Sequence, residues 1–279
     1  LCGGVRGRQS AAGASAFDAI GPAGRLTENL METASYSQKY QNPATAECYD
    51  NVICDAEGSG APFWSVEQRL LERLIARHLP GHRDADSLDF ACGTGRILRF
   101  IRPRVKSLVG VDISQAMLDR ASSRVEDTRL ICADIVNAPE VVPGEKDLIT
   151  SFRFLLLAEE PLRTKCISAL ATKLRDGKGI MILNSHGNPR SFRALANLKN
   201  RLFKSNSPKL PAFSFADMKA LAERCGLEIV AASGLGFVPR GIEKFLPAWL
   251  YRGIERMLCG RPLIWRFGSD LMFVCRRKA

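Results

Sequence analysis

Histidine is scarce in this chain: His78, His82 and His186 are the only three among 279 residues. The nine cysteines are scattered and odd in number, and no two form a Cys-x-x-Cys pair. With so few imidazoles and no paired thiols, neither a structural zinc site nor any other metal is expected. Free cysteines read most simply as residents of a reducing cytoplasm, the expected location. No run of about 18 uncharged apolar residues occurs, so no spanning helix is expected. Residues 1–35 are rich in Gly, Ala and Ser and lack the compact apolar stretch of a secretory signal. They are expected to be a poorly ordered tail or an extension of the gene model. No nucleic-acid-binding module or aromatic basic platform is recognisable, so no nucleic-acid partner is expected.

What the chain has is an ordinary globular composition, 46% hydrophobic and 25% charged, with a formal net charge of +11. That excess draws anions, whether phosphorylated compounds or an acidic membrane surface. The length suits one large α/β domain with a small cap.

The most informative stretch is Leu88-Asp89-Phe90-Ala91-Cys92-Gly93-Thr94-Gly95-Arg96, followed by Gly110-Val111-Asp112. An apolar run feeds a tight Gly-rich turn, the turn feeds a helix, and an acidic residue closes the next apolar run. Such turns bring backbone close to a nucleoside-bearing ligand, and the second carboxylate accepts from ribose hydroxyls. A dinucleotide site needs Gly-x-Gly-x-x-Gly, but Leu98 stands at the third glycine. Asp89 at the mouth of the first strand would repel a pyrophosphate and suits an ammonium.

The pattern Asp89-x-Ala91-x-Gly93-x-Gly95 resembles motif I of the class I S-adenosylmethionine-dependent methyltransferases, with Ala91 in place of the first glycine. A methyl group is tolerable there if φ stays below zero, which is the expectation. The resemblance extends to Asp112 for the ribose, to Asp134 after the third strand for the adenine amino group, and to the helix beginning near Ser114. It implies S-adenosyl-L-methionine as cofactor, bound by Asp89, Ala91, Cys92, Gly93, Thr94, Gly95, Asp112, Ile113, Ala133, Asp134, Ile135, Ser151 and Phe152. Asp112 and Asp134 have plainer readings as a helix cap and a strand-ending turn. No Asn/Asp-Pro-Pro-Tyr/Phe segment follows the fourth strand, the element seen in methyltransferases that act on the amino groups of bases and glutamine.

Periodicity predicts strands at Ser87–Phe90, Ser107–Asp112, Thr128–Ala133, Leu148–Arg153, Gly179–Asn184, Leu227–Ser233 and Leu271–Arg276. Helices are predicted at Val66–Leu79, Gly95–Ile101, Gln115–Val125, Glu160–Leu174 and Phe215–Cys225. Alternation of this kind gives a doubly wound α/β fold with a mostly parallel sheet. The resemblance adds the Rossmann-like methyltransferase order, with the seventh strand antiparallel between the fifth and sixth. Residues 36–279 are expected to form one domain. Residues 36–64, with Tyr36, Tyr40, Tyr49, Phe63 and Trp64, are either a lid over the cofactor or simple packing. Insertions at 187–212 and 236–268 are expected to form a helical, acceptor-side cap. Cys92 and Cys132 are expected in core strands.

A hydroxyl acceptor must lose a proton, and His186, directly after the fifth strand, is the candidate base. Arg153, inside an apolar run at the end of the fourth strand, could bind an anionic group on the acceptor or pair with Glu159 or Glu160. The expected activity is methylation, at oxygen, of a small-molecule or glycan-like acceptor. Alternatives are a lipid or quinone-precursor methyltransferase in peripheral contact with an anionic membrane, a cofactor-binding regulatory protein without turnover, and an NAD-dependent dehydrogenase. The residues leave the oligomeric state open.

Overall fold

A computed structural model describes residues 35–42, 61–192, 194, 212–239, 242, 245–259, 261 and 263–278. The tail at 1–34, Tyr49 and most of the 187–212 insertion lie outside the described residues.

Seven strands form one sheet in the order β3-β2-β1-β4-β5-β7-β6. They are β1 Asp86–Phe90, β2 Ser107–Asp112, β3 Arg129–Cys132, β4 Leu148–Ser151, β5 Ile180–Ser185, β6 Leu227–Leu235 and β7 Asp270–Arg277. The pairs β1·β2, β1·β4, β2·β3 and β4·β5 are parallel, whereas β7 runs antiparallel to both β5 and β6. The class I methyltransferase order is therefore present. The described helices are α1 Tyr36–Gln41, α2 Ala61–His78, α3 Arg96–Ile101, α4 Gln115–Ser122, α5 Glu160–Lys173, α6 Phe215–Arg224 and α7 Ala248–Leu258.

Strand alternation explains the layering, because successive side chains leave opposite faces of a sheet. Ile180 and Ile182 of β5 enter one apolar cluster with Leu71 and Ile75 of α2, Ile101 of α3, Leu118 of α4 and Tyr251 of α7. Met181 and Leu183 enter a second cluster with Ile167 and Leu170 of α5 and Leu221 of α6. Both faces are covered, so the central strands read as continuous apolar runs.

Two differences from the predicted elements have local causes. β4 stops at Ser151, two residues early, because Arg153 takes a left-handed φ of 60° that no strand can continue. Cys132 is exposed, not core: β3 is an edge strand covered thinly on both faces. Its Sγ sits 3.6 Å from the Ile113 carbonyl oxygen. The 236–268 segment contributes α7, a helix not assigned from periodicity.

Candidate functional site

The carboxyl ends of the parallel strands converge on the Gly-rich turn between β1 and α3, the place where open α/β sheets bind ligands. Four features shape this turn. Ala91 and Gly93 both have a φ of 54°, and Gly95, at the N-terminus of α3, has a φ of 86°. A Cβ on Gly95 would lie 3.1 Å from the Ala121 Cβ and 3.3 Å from Val125 Cγ2, so α4 also holds that position open. Leu98 is fully buried where a dinucleotide motif would place its third glycine. Ala91 corrects the expectation drawn from the sequence: its φ is positive, a strained conformation for a residue with a Cβ.

Asp112 ends β2 and organises the turn. Its Oδ2 accepts from the Gly93 amide at 2.8 Å and its Oδ1 from the Ser114 amide at 2.9 Å. Ser114 Oγ caps α4 by accepting from the Met117 amide, which leaves Asp112 free of that task. Burial pushes the Asp112 carboxyl above its ordinary range, opposed by the amide donors. Each carboxylate oxygen has a second lone-pair direction, so the group can hold the turn and still accept from a ligand.

Asp89 lies on the other side of the turn, only 1% exposed. It pairs in register with Thr150 of β4, whose Oγ1 donates to Asp89 Oδ1 at 2.7 Å. The second oxygen, Oδ2, is buried without a hydrogen-bond partner. Burial raises this carboxyl to about 7, against the Thr150 bond, with the Asp112 charge adding to the rise.

These residues line two small concavities that share Ala91. One is bounded by Tyr36, Phe90, Ala91, Asp112, Ile113, Ala133, Asp134, Ile135 and Phe154. The other is bounded by Asp89, Ala91, Cys92, Thr94, Arg96, Ile97, Phe152 and Arg153. Asp134 accepts from the Val136 amide through Oδ1 and from Asn137 Nδ2 through Oδ2, so it also shapes the turn after β3. Ser151, at the end of β4, is fully buried with its Oγ unpartnered and lines neither concavity. Burial pushes the Cys92 thiol well up, so Cys92 is an apolar wall and not a nucleophile.

The two candidate acceptor-side residues are brought to one rim. Ser151 pairs with Leu183 and Ser185 with Leu271, so the positions just beyond β4, β5 and before β7 are neighbours. Arg153 is largely buried, and its ionic partner is Asp270 of β7 at 3.8 Å, neither Glu159 nor Glu160. Ser269 Oγ donates to the other Asp270 oxygen at 2.8 Å. His186 follows β5 directly and is half-buried; it borders neither concavity.

Several supporting residues escaped the sequence. Glu67 of α2 is fully buried and holds Arg96, whose guanidinium also lies 4.3 Å from the Trp64 ring centre. Phe63 lies against Gly236 and Trp64 stacks edge-on against Phe100, so these two aromatics are packing residues. Tyr36 behaves differently. Its ring meets Phe154 edge-on at 5.3 Å and borders the Asp112 concavity, and its amide donates to Glu159 Oε1 at 2.7 Å. After β5, Asn188 Nδ2 donates to the Arg266 and Gly268 carbonyls, both at 2.7 Å. Glu255 of α7 is fully buried and accepts from the Gly236 and Val238 amides at 2.9 Å. A hydrophilic residue within an apolar run was the available signal for Thr150; Asp270 and Glu255 gave none, since their partners are remote in sequence.

Residues 88–177 match the family model described as a methyltransferase domain. One curated relative is the dTDP-4-amino-2,3,4,6-tetradeoxy-D-glucose N,N-dimethyltransferase of Saccharopolyspora spinosa, 32% identical over 112 residues. That alignment covers 40% of this chain and 41% of the relative. The malonyl-[acyl-carrier protein] O-methyltransferase of Pectobacterium atrosepticum is 31% identical over 114 residues, covering 41% of this chain and 39% of the relative. The chain thus aligns with only about two fifths of the length of these relatives. In structure it is similar to an S-adenosylmethionine-dependent methyltransferase from Clostridium acetobutylicum, with a TM-score of 0.54 and 17% identity. That similarity covers 84% of this chain and 98% of the other and identifies the fold. Among the described residues no helix is long and apolar enough to cross a membrane, and no His/Cys/Asp/Glu group is arranged to hold a metal.

Proposed function

We propose that this chain, a class I methyltransferase domain over residues 88–177, transfers the methyl group of S-adenosylmethionine to a small-molecule or glycan-like acceptor, at oxygen. The observation that carries the reading is Ala91, which lines both concavities and so joins the Asp112 side to the Asp89 side. On one side Asp112 and Asp134 offer acceptors for ribose hydroxyls and an amino group, beside the apolar walls of Ile113 and Ile135. On the other side the orphaned, buried Oδ2 of Asp89 is an acceptor without a donor, which suits an ammonium. Bound S-adenosylmethionine supplies an activated methyl group on a sulfonium, so the protein's work is positioning.

In this reading Asp112 binds the ribose, Asp134 the adenine edge, and Asp89 the amino-acid end. Ala133 and Phe152 complete the walls, Ser151 lies buried at the end of β4 just before Phe152, and Cys92, Gly93, Thr94 and Gly95 give the turn. His186 accepts the acceptor's proton at an imidazole nitrogen, and Arg153, paired to Asp270, orients an anionic or polar group of the acceptor. Residues 36–279 act as one domain, with Tyr36 bordering the adenosine side as part of a lid. Calorimetry with S-adenosylhomocysteine and with NADH tests the cofactor. Binding of the homocysteine product without NADH is expected; the reverse overturns the reading. Incubation with methyl-labelled S-adenosylmethionine and phenolic, glycan and lipid extracts, followed by mass spectrometry, identifies the acceptor.

A further inference from the structure

The stretch from Phe245 to Phe267 exposes large apolar side chains at an unusual density. Phe245 is 87% exposed and Trp249 69%, and Met257, Leu263 and Phe267 each expose more than half of their surface. On α7, Trp249, Arg256 and Met257 share the outward face, while Tyr251 and Glu255 point into the fold. Scattered exposed apolar residues are ordinary, but aromatics concentrated on one short segment mark a contact surface.

Charge decides what meets this surface. Between residues 245 and 267 stand four arginines, Arg252, Arg256, Arg261 and Arg266, and a single acidic residue, Glu255. Glu255 is fully buried and satisfied by the Gly236 and Val238 amides, so it offsets none of the outward positive field. Within residues 245–267 the outward side chains are therefore apolar and cationic, with no carboxylate among them, on a chain whose formal net charge is +11. Aromatic residues with interleaved arginines match a bilayer interface, where rings sit among headgroups and guanidinium groups meet lipid phosphates.

We propose that α7 and its flanks dock this chain peripherally on an anionic lipid bilayer, with Phe245 and Trp249 inserted at the headgroup level and the arginines on lipid phosphates. The docking face is tied to the site's rim. Glu255 holds Gly236 at the end of β6, and the Gly236 carbonyl accepts from the Ser269 amide next to Asp270. Vesicle docking stands without the methyl-transfer reading. Its corollary, that the acceptor is an amphiphile reached from the bilayer, rests on that reading.

The test is sedimentation of the full chain with vesicles of phosphatidylcholine alone or with about a third phosphatidylglycerol. Each basic residue near an anionic surface strengthens binding about fivefold. Binding at least tenfold tighter to the anionic vesicles is expected, and it should weaken with salt. Phe245→Ser with Trp249→Ser should reduce that binding at least tenfold, and Arg256→Gln with Arg261→Gln about twentyfold. Trp249→Phe should retain it, and all variants should keep the parent melting temperature, since these side chains are exposed. No vesicle binding overturns the proposal. So does binding that the folded serine or glutamine variants leave unchanged, or a concentration-dependent dimer that those variants abolish in place of vesicle binding. Absence of vesicle binding by the parent chain, with S-adenosylhomocysteine binding intact, would refute docking and leave the methyl-transfer reading standing.

Discussion

Ala91 and Asp89 each hold a position that the fold alone does not favour. Ala91, with its φ of 54°, carries a left-handed backbone cost of about 1–2 kcal/mol that glycine escapes, partly offset by glycine's greater unfolded-state entropy. Ala91→Gly should therefore stabilise the protein by about 0.5–1 kcal/mol and raise Tm by roughly 1–3 °C, checked by calorimetry. A lower Tm would mean that the methyl group packs usefully on the ligand-free fold. Asp89 makes a pH prediction with a definite sign. Its folded carboxyl titrates near 7, above the ordinary unfolded value of about 3.9, so the folded state holds the extra proton between these limits. Stability from this group is complete at low pH and falls as pH rises through that window, by an amount on the order of a few kcal/mol. Asp89→Asn should flatten the decline in urea titrations at pH 5 and pH 8. Ligand binding should run the opposite way. An ammonium prefers ionised Asp89, so S-adenosylhomocysteine should bind the parent more tightly as pH approaches 7, and this trend should vanish in the Asn variant.

The segments after β5 and before β7 are held together by a single side chain. Asn188, after β5, donates to two carbonyls of the segment before β7, both at 2.7 Å. Asn188→Ala would leave the buried Gly268 carbonyl and the part-buried Arg266 carbonyl without these donors, a loss of about 1–3 kcal/mol. Urea unfolding should show a lower midpoint with the slope unchanged; an unchanged midpoint would mean that water replaces the amide without loss. Element identities were largely legible in the sequence. Short continuous apolar runs marked every strand of the sheet, because burial on both sheet faces favours apolar residues at successive positions, and period-3.6 patterns found five of the seven described helices. Ends were less legible. β4 stops at a left-handed Arg153, and nothing in the composition of Ser151-Phe152-Arg153-Phe154 announces that turn. Helix α7 escaped the periodicity because its short apolar stripe is interrupted by the buried Glu255, whose partners are amides just beyond β6.

Across the whole molecule, the geometry of the Gly-rich turn was more legible than that of the rim beyond β4 and β5. Asp89, Gly93, Gly95 and Asp112 lie within one local β-turn-α-β unit, so their spacing encodes their geometry. Arg153 and Asp270 meet only because β7 is inserted between β5 and β6, and no local spacing encodes a contact between positions 153 and 270. A ligand that bridges both concavities should stabilise the entire fold by mass action. At a hundred times its Kd, S-adenosylhomocysteine should add about 2.7 kcal/mol and raise Tm by roughly 5–10 °C. Asp112→Ala should abolish that shift, because it removes both the proposed ribose acceptor and the partner of the Gly93 amide.

The antiparallel insertion also governs how the protein is made. Strand β7 is the last of the seven in sequence, yet it lies inside the sheet between β5 and β6. While the chain is being synthesised, β5 has no neighbour on that side until residues 270–277 leave the ribosome. Its backbone donors and acceptors and its apolar residues Met181 and Leu183 then form an open, adhesive edge. At about 5–20 residues per second, the interval between β5 and β7 leaves the nascent chain exposed for several seconds. Chaperone demand should thus concentrate on ribosomes stalled between these two strands, and a message truncated before β7 should yield aggregate.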